Sequence, residues 1–154
     1  MTETKRIMFV CHGNICRSPM AEFIFKDLAK KQGLEFVTAS SATSTEEIGN
    51  PVYPPARAEL SRHGLSCEGK LAVQLKKDDY DKFDLFIGMD SANIRNMLRI
   101  FQHDPCSKVH KLLDYTEHGG DVADPWYYGN FDATYRDILC GCSALLAAIR
   151  REEN

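Results

Sequence analysis

The 154-residue chain has no hydrophobic run long enough to cross a bilayer. The apolar stretch after Met1-Thr2-Glu3-Thr4-Lys5-Arg6 is far too short for a secretory signal. Charge of one sign is also scarce. Nineteen lysines and arginines against 22 aspartates and glutamates leave a formal net charge of −3, and no basic stripe suggests a nucleic-acid partner. No Cys/His cluster has zinc spacing, so neither a metal nor a cofactor is expected. Repeats, low-complexity tracts and linkers are missing, which leaves one domain over residues 1–154. A chain of this length buries a sizeable core without staples. Six cysteines without a secretory signal indicate free thiols in a reducing cytosol, a cytoplasmic location and no membrane partner. Cys140-Gly141-Cys142 falls on a helical pattern and reads as core rather than metal site.

What is present is concentrated in ten residues, Val10-Cys11-His12-Gly13-Asn14-Ile15-Cys16-Arg17-Ser18-Pro19. An apolar run, Ile7 to Val10, predicts a strand that ends at Cys11, and a helix follows from Pro19. Backbone N–H groups of the intervening loop converge into an anion cradle, with positive potential added by the helix dipole. That assigns phosphate binding to His12, Gly13, Asn14, Ile15, Cys16, Arg17 and Ser18. A cysteine at the floor of such a cradle has its thiolate favoured and is a nucleophile at neutral pH. Arg17 can offer a planar fork of donors to two oxygens of an oxyanion. Cys-x5-Arg alone is a weak signal; its context strengthens it. Gly13 and Asn14 are the residues best able to take the unusual angles of a tight anion loop. Ser18-Pro19 reads as a helix opening, a hydroxyl cap followed by proline at the first position.

The rest of the pattern alternates strands and helices. Met20, Ile24 and Leu28 share one face of a helix over 19–31 that Gly33 ends. A strand over 35–40, a polar loop over 41–55 and a helix over 55–63 stopped by Gly64 come next. A short helical stretch over 76–83 precedes a strand over 84–89. A helix over 91–101 is capped by Asp90 or Ser91, and a strand over 108–113 leads to a long loop. The closing helix covers about 133–150. The expected fold is α/β: a single-domain, doubly wound sheet of four parallel strands with helices on both faces and a phosphate-binding loop after the first strand. Ligands then bind beyond the strands' carboxyl ends, where Cys11 lies, and two long loops can reach that rim.

Residues Cys11 to Pro19 closely resemble the active-site loop of the low-molecular-weight protein tyrosine phosphatases. Asp124-Pro125-Trp126-Tyr127, before the last helix, resembles the same family's acid segment, so the likeness spans nearly the whole chain. Trp126-Tyr127-Tyr128-Gly129 looks like the bacterial form of that segment. The resemblance implies hydrolysis of phosphotyrosine or aryl phosphates through a phosphocysteine on Cys11. Arg17 would bind the phosphate and Asp124 act as general acid and base, without metal. Asp124 has a plainer reading as a turn-forming Asx-Pro. The family further implies that the Ser18 hydroxyl donates to the Cys11 sulfur, compatible with capping, and that Ser40 supports the loop, where a plain strand-end serine is the rival reading. Asn14 is expected to orient the loop through side-chain bonds to backbone. Cys16 matches a cysteine that forms a reversible disulfide with the nucleophile under oxidation. Trp126, Tyr127 and Tyr128 are expected to wall the entrance, or else to pack on the last helix. Partners would be a phosphotyrosine protein or a small aryl phosphate, with inorganic phosphate as product, for a monomer or weak homodimer.

Several positions depart from the family pattern. His12 replaces an apolar residue and is either a rim cation or simply exposed. Glu46, in a pocket-wall position, and Glu47 stand where an aromatic residue and its neighbour are usual, which disfavours acidic flanking sequence. Gly69 replaces a loop-bracing histidine. Three rival functions remain. Arginine phosphatases of this fold carry threonine where this chain has Ile15. Arsenate reductases need resolving cysteines, whereas Cys67 and Cys106 are isolated here and Cys140 and Cys142 sit on the last helix. A silent phosphotyrosine-binding module needs neither the thiol nor the acid.

Overall fold

β1 (Arg6–Cys11) lies at the heart of the fold, and five of its six residues are buried. Strict alternation along it sends Ile7, Phe9 and Cys11 into one core, with Met20, Ile24 and Phe25. Met8 and Val10 enter a second core with Leu75, Met97 and Phe101. Cys11 therefore ends the strand facing the helix that follows it. A computed structural model describes residues 4–153. β2 (Val37–Ala42), β3 (Leu85–Gly88) and β4 (Val109–Lys111) complete a four-stranded, fully parallel sheet in the order β2-β1-β3-β4. The chain first winds to one side of β1 and then to the other, so β1 ends at the reversal point where such sheets bind ligands.

α1 (Arg17–Lys31) and α5 (Phe131–Glu153) pack together over one face, with α2 (Pro54–Arg62) beside α5. α3 (Ser91–Phe101) and a 3-10 turn over Lys77–Asp81 cover the other face. Phe9, Phe25 and Phe86 are fully buried, each contributing roughly 2–3 kcal/mol by leaving water. The short helix α4 (Pro125–Tyr128) interrupts the long loop before α5. No helix among the described residues is long and apolar enough to cross a membrane.

The doubly wound, four-stranded parallel sheet predicted from the sequence is the observed one. Boundaries moved for identifiable reasons. β2 runs two residues later than predicted because its pairing with β1 begins at Arg6–Val37 and continues to Cys11–Ala42. β4 stops at Lys111, where the chain tightens into a 3-10 turn over Leu112–Tyr115. α5 starts earlier, at Phe131, with the Asn130 side chain accepting from the Ala133 N–H at 3.0 Å. Of the two candidates, Asp90 and not Ser91 caps α3, its carboxylate accepting from Asn93 N at 2.8 Å. In Cys140-Gly141-Cys142, Cys142 is buried and Cys140 exposed. A side chain at Gly141 would meet Leu112 Cγ at 2.5 Å, so the segment serves close packing of α5 on the 3-10 turn.

Candidate active site

The loop between β1 and α1 turns at Asn14, which takes a left-handed φ of 60°. The sequence offered Gly13 and Asn14 for such angles, and Asn14 alone adopts the left-handed one. Its amide is fully used. Oδ1 accepts from Val73 N at 3.1 Å, while Nδ2 donates to Ser18 Oγ at 2.7 Å and to Ser40 Oγ at 3.0 Å. Ser40 Oγ donates in turn to Glu22 Oε1 at 2.6 Å. Every donor in this buried chain has an acceptor, which fixes the loop's shape.

Cys11 Sγ receives the N–H groups of Asn14 at 3.3 Å and Ser18 at 3.4 Å. Ser18 Oγ lies 3.0 Å from the sulfur. That hydroxyl accepts from Asn14 Nδ2 and keeps its own hydrogen free, so it and two N–H groups face the sulfur. The cap expected at Ser18 is a correction. α1 begins at Arg17, so Cys16 occupies the cap position without a side-chain bond, and Ser18 sits inside the first turn. Pro19 is consequently the third helical residue, where the missing N–H still has no intrahelical partner to lose. The Ser18 hydroxyl thus faces the sulfur and not the helix end.

Arg17 is 3% exposed and held from two sides. Nη1 donates to Asp90 Oδ2 at 2.7 Å and to the Val122 carbonyl at 2.9 Å, and Nη2 lies 3.7 Å from Asp124 Oδ2. Burial works to lower its pKa, but Cys11 and Asp90 outweigh it and the net shift is upward, so the cation persists. Asp124 takes the turn-forming place the sequence allowed it and also lines the cavity. Oδ1 accepts from Trp126 N at 3.0 Å and caps α4, while Oδ2 faces Arg17.

These groups surround one cavity of about 220 Å³, lined by Cys11, Gly13, Ile15, Cys16 and Arg17 at its floor and His12 at its rim. Glu46, Glu47, Asp124, Trp126 and Tyr127 form its walls. The Trp126 ring rests on Tyr53, centroids 4.7 Å apart, and Tyr53 also meets Phe131. Tyr127 is 80% exposed at the mouth. Tyr128 ends α4, and its side chain lies outside the described residues. His12 is half-exposed and pairs with Glu46 at 3.0 Å, which makes it a rim residue. Cys16 lies in the lining, and burial pushes its thiol up to about 12, so it is protonated at neutral pH.

Gly69 is exposed and outside the cavity; the bracing expected of a side chain there comes from Glu22, Ser40 and Val73 N. Lys70 adds a bond to the Ser40 carbonyl at 2.8 Å. Glu22, Asp90 in its contact with Arg17, Tyr53 and the Val122 carbonyl escaped sequence reasoning. Glu22 stands four residues after Ser18 on one helix face, and Asp90 follows the carboxyl end of β3; both placements were available as signals. Elsewhere, Glu59, His63 and Asp132 bring metal-type donor atoms within 4.8 Å of one another. Arg62 and Arg136 already pair with the two carboxylates, and the group is an ion-pair cluster.

Comparison with known proteins agrees with this geometry. Residues 6–154 match the family model described as low molecular weight phosphotyrosine protein phosphatase. The chain is 44% identical to the low molecular weight protein-tyrosine-phosphatase YfkJ of Bacillus subtilis, over 96% of this chain and 97% of that protein. It is 36% identical to the human low molecular weight phosphotyrosine protein phosphatase, over 93% and 94% of the two chains. The crystal structure of Bacillus subtilis YfkJ superposes with a TM-score of 0.94 and 43% identity, covering 99% of each chain.

Proposed function

The chain belongs to the low molecular weight phosphotyrosine protein phosphatase family, and we propose that it hydrolyses phosphotyrosine using Cys11, Arg17 and Asp124. The Cys11 thiolate attacks phosphorus in line and forms a phosphocysteine as the bond to the tyrosyl oxygen breaks. Asp124 gives its proton to the departing phenolate, which would otherwise leave as an anion into a pocket shielded from water. The three non-bridging oxygens lie among the N–H groups of the cavity-lining loop residues and the Arg17 guanidinium, which are fixed before the charge develops. Water then attacks phosphorus, Asp124 takes its proton, and inorganic phosphate leaves as the thiolate is restored. Ser18 eases that departure by holding the sulfur's charge, and Asn14 and Ser40 hold Ser18 in place.

The observation that carries this reading is the convergence of Cys11, with its three donors, Arg17 and Asp124 on one cavity. The deep thiol favours the long phosphotyrosyl side chain over phosphoserine, with Trp126 and Tyr127 flanking the ring. Among the described residues, Cys16 is the one other cysteine lining the cavity, which disfavours an arsenate-reducing relay. Free cysteines throughout suit a reducing cytoplasm, and the exposed Trp126 and Tyr127 suit a monomer or weak homodimer.

Release of inorganic phosphate from a phosphotyrosyl peptide in EDTA, beside phosphoarginine and phosphoserine substrates, tests the reading. Turnover confined to the tyrosyl and aryl esters is expected. Binding without turnover, preference for phosphoarginine, or thiol-dependent arsenate reduction would replace it.

A further inference from the structure

We propose that Lys111, Asp121 and Ser91 form a clasp that positions the Asp124 loop for leaving-group protonation. The inference rests on the reading of Asp124 as the acid. Lys111, the last residue of β4, places Nζ 2.9 Å from Asp121 Oδ1 and donates to Ser91 Oγ at 3.3 Å. Ser91 Oγ donates to the same Asp121 oxygen at 3.3 Å. Three segments distant in sequence meet there: the end of β4, the start of α3 and the loop before α4.

The clasp sits one residue away from both acceptors of Arg17. Ser91 follows Asp90, and Asp121 precedes Val122. Val122 N donates to the Met89 carbonyl at 2.9 Å. Residues 121–122 are therefore stitched to residues 89–91 by one main-chain bond and one side-chain bridge, with the Arg17 guanidinium between Asp90 and the Val122 carbonyl.

This loop needs an anchor. Residues 116–124 form no helix or strand, and Gly119 and Gly120 both take left-handed φ values of 65° and 99° just before Asp121. Consecutive glycines of that kind leave the backbone many alternatives. The clasp closes immediately after them, three residues before Asp124. An ion pair such as Lys111–Asp121, whose carboxylate stands half in solvent, stabilises a fold only modestly. Its weight lies in geometry, since a misplacement of about 1 Å in a reacting group lowers turnover by up to about 10²-fold. Lys111 and Asp121 touch no substrate and are positioning residues, acting through Asp124.

The test compares kcat/KM for phenyl phosphate, a poor leaving group, with dinitrophenyl phosphate, a good one. Lys111→Met, Asp121→Asn and Lys111→Arg are measured alone and with Asp124→Ala. Lys111→Met and Asp121→Asn are expected to lower the phenyl ester's kcat/KM about tenfold and the dinitrophenyl ester's by less than about threefold. Lys111→Arg restores most of the loss, and competitive inhibition by inorganic phosphate stays within about twofold of wild type. In the Asp124→Ala background neither variant lowers the rate further, because the group they position is gone. Unchanged rates, equal losses on both esters, persistent losses beside Asp124→Ala, or a matching loss of phosphate inhibition would overturn the inference. Should Asp124→Ala itself show no loss concentrated on the phenyl ester, the acid assignment fails first and the clasp with it.

Discussion

Ser18 Oγ lies 3.0 Å from Cys11 Sγ and is itself bonded by Asn14 Nδ2 at 2.7 Å, which leaves the hydroxyl's hydrogen available to the nucleophile. The thiolate is the attacking group in the first step and the leaving group in the second. Ser18→Ala should therefore lower kcat by about 10- to 100-fold, the range of one hydrogen bond to a charged group. Phosphocysteine breakdown should slow most, seen as a larger burst of phenol against the steady rate. Loss of KM alone, with kcat intact, would remove Ser18 from the mechanism.

Oxidation should be reversible through Cys16. Peroxide converts the Cys11 thiolate to a sulfenic acid, and the Cys16 thiol condenses with it to a disulfide as water leaves. Cys16, with its thiol raised to about 12, reacts slowly with peroxide on its own account. Activity of wild type should return on treatment with dithiothreitol, and Cys16→Ser should lose that recovery. Recovery retained in Cys16→Ser would exclude the pairing.

The rim carboxylates Glu46 and Glu47 should repel acidic residues next to phosphotyrosine. Replacing both by glutamine should raise kcat/KM about three- to tenfold for a peptide with flanking aspartates, and by less for a neutral peptide. The gain should shrink as salt rises, because these charges face solvent. A gain equal for both peptides would point to pocket shape instead.

Acid stability should depend on Glu59. Burial tends to raise its pKa, but Arg62 at 2.5 Å and His63 at 2.9 Å outweigh it and hold the carboxyl below the ordinary value. A lowered folded-state pKa means the carboxylate stabilises the fold above the unfolded value, near 4.5, and this contribution fades as pH falls through that value and below. Thermal midpoints of wild type should drop more steeply than those of Glu59→Gln between about pH 5 and 3. Parallel curves would contradict the sign.

Much of this was legible in the sequence because single residue types carried it. Cys11 and Arg17 announce themselves by chemistry, and a capping residue type at Asp90 or Ser91 marked the start of α3. Ser18 misled because a serine before proline satisfies the rule for a helix start, whereas the anion loop draws the helix back to Arg17 and frees the hydroxyl. The contacts that set the site's rigidity were not legible. Glu22 meets Ser40 at 2.6 Å across 18 residues, Arg17 meets the Val122 carbonyl across 105, and Tyr53 supports Trp126 across two loops. Pairings of that kind depend on how β1, α1 and the two rim loops converge, and no local periodicity encodes them. A main-chain carbonyl such as that of Val122 leaves no compositional trace at all.

The most direct test of the account is capture of the covalent intermediate. Wild type and Cys11→Ser are mixed with an aryl phosphate in EDTA, quenched in acid within the burst, and digested for mass spectrometry. The account predicts one phosphoryl group on Cys11 of the wild type, none in Cys11→Ser, and loss of turnover in that variant. Turnover with no phosphoryl adduct on Cys11, or activity surviving in Cys11→Ser, would contradict it.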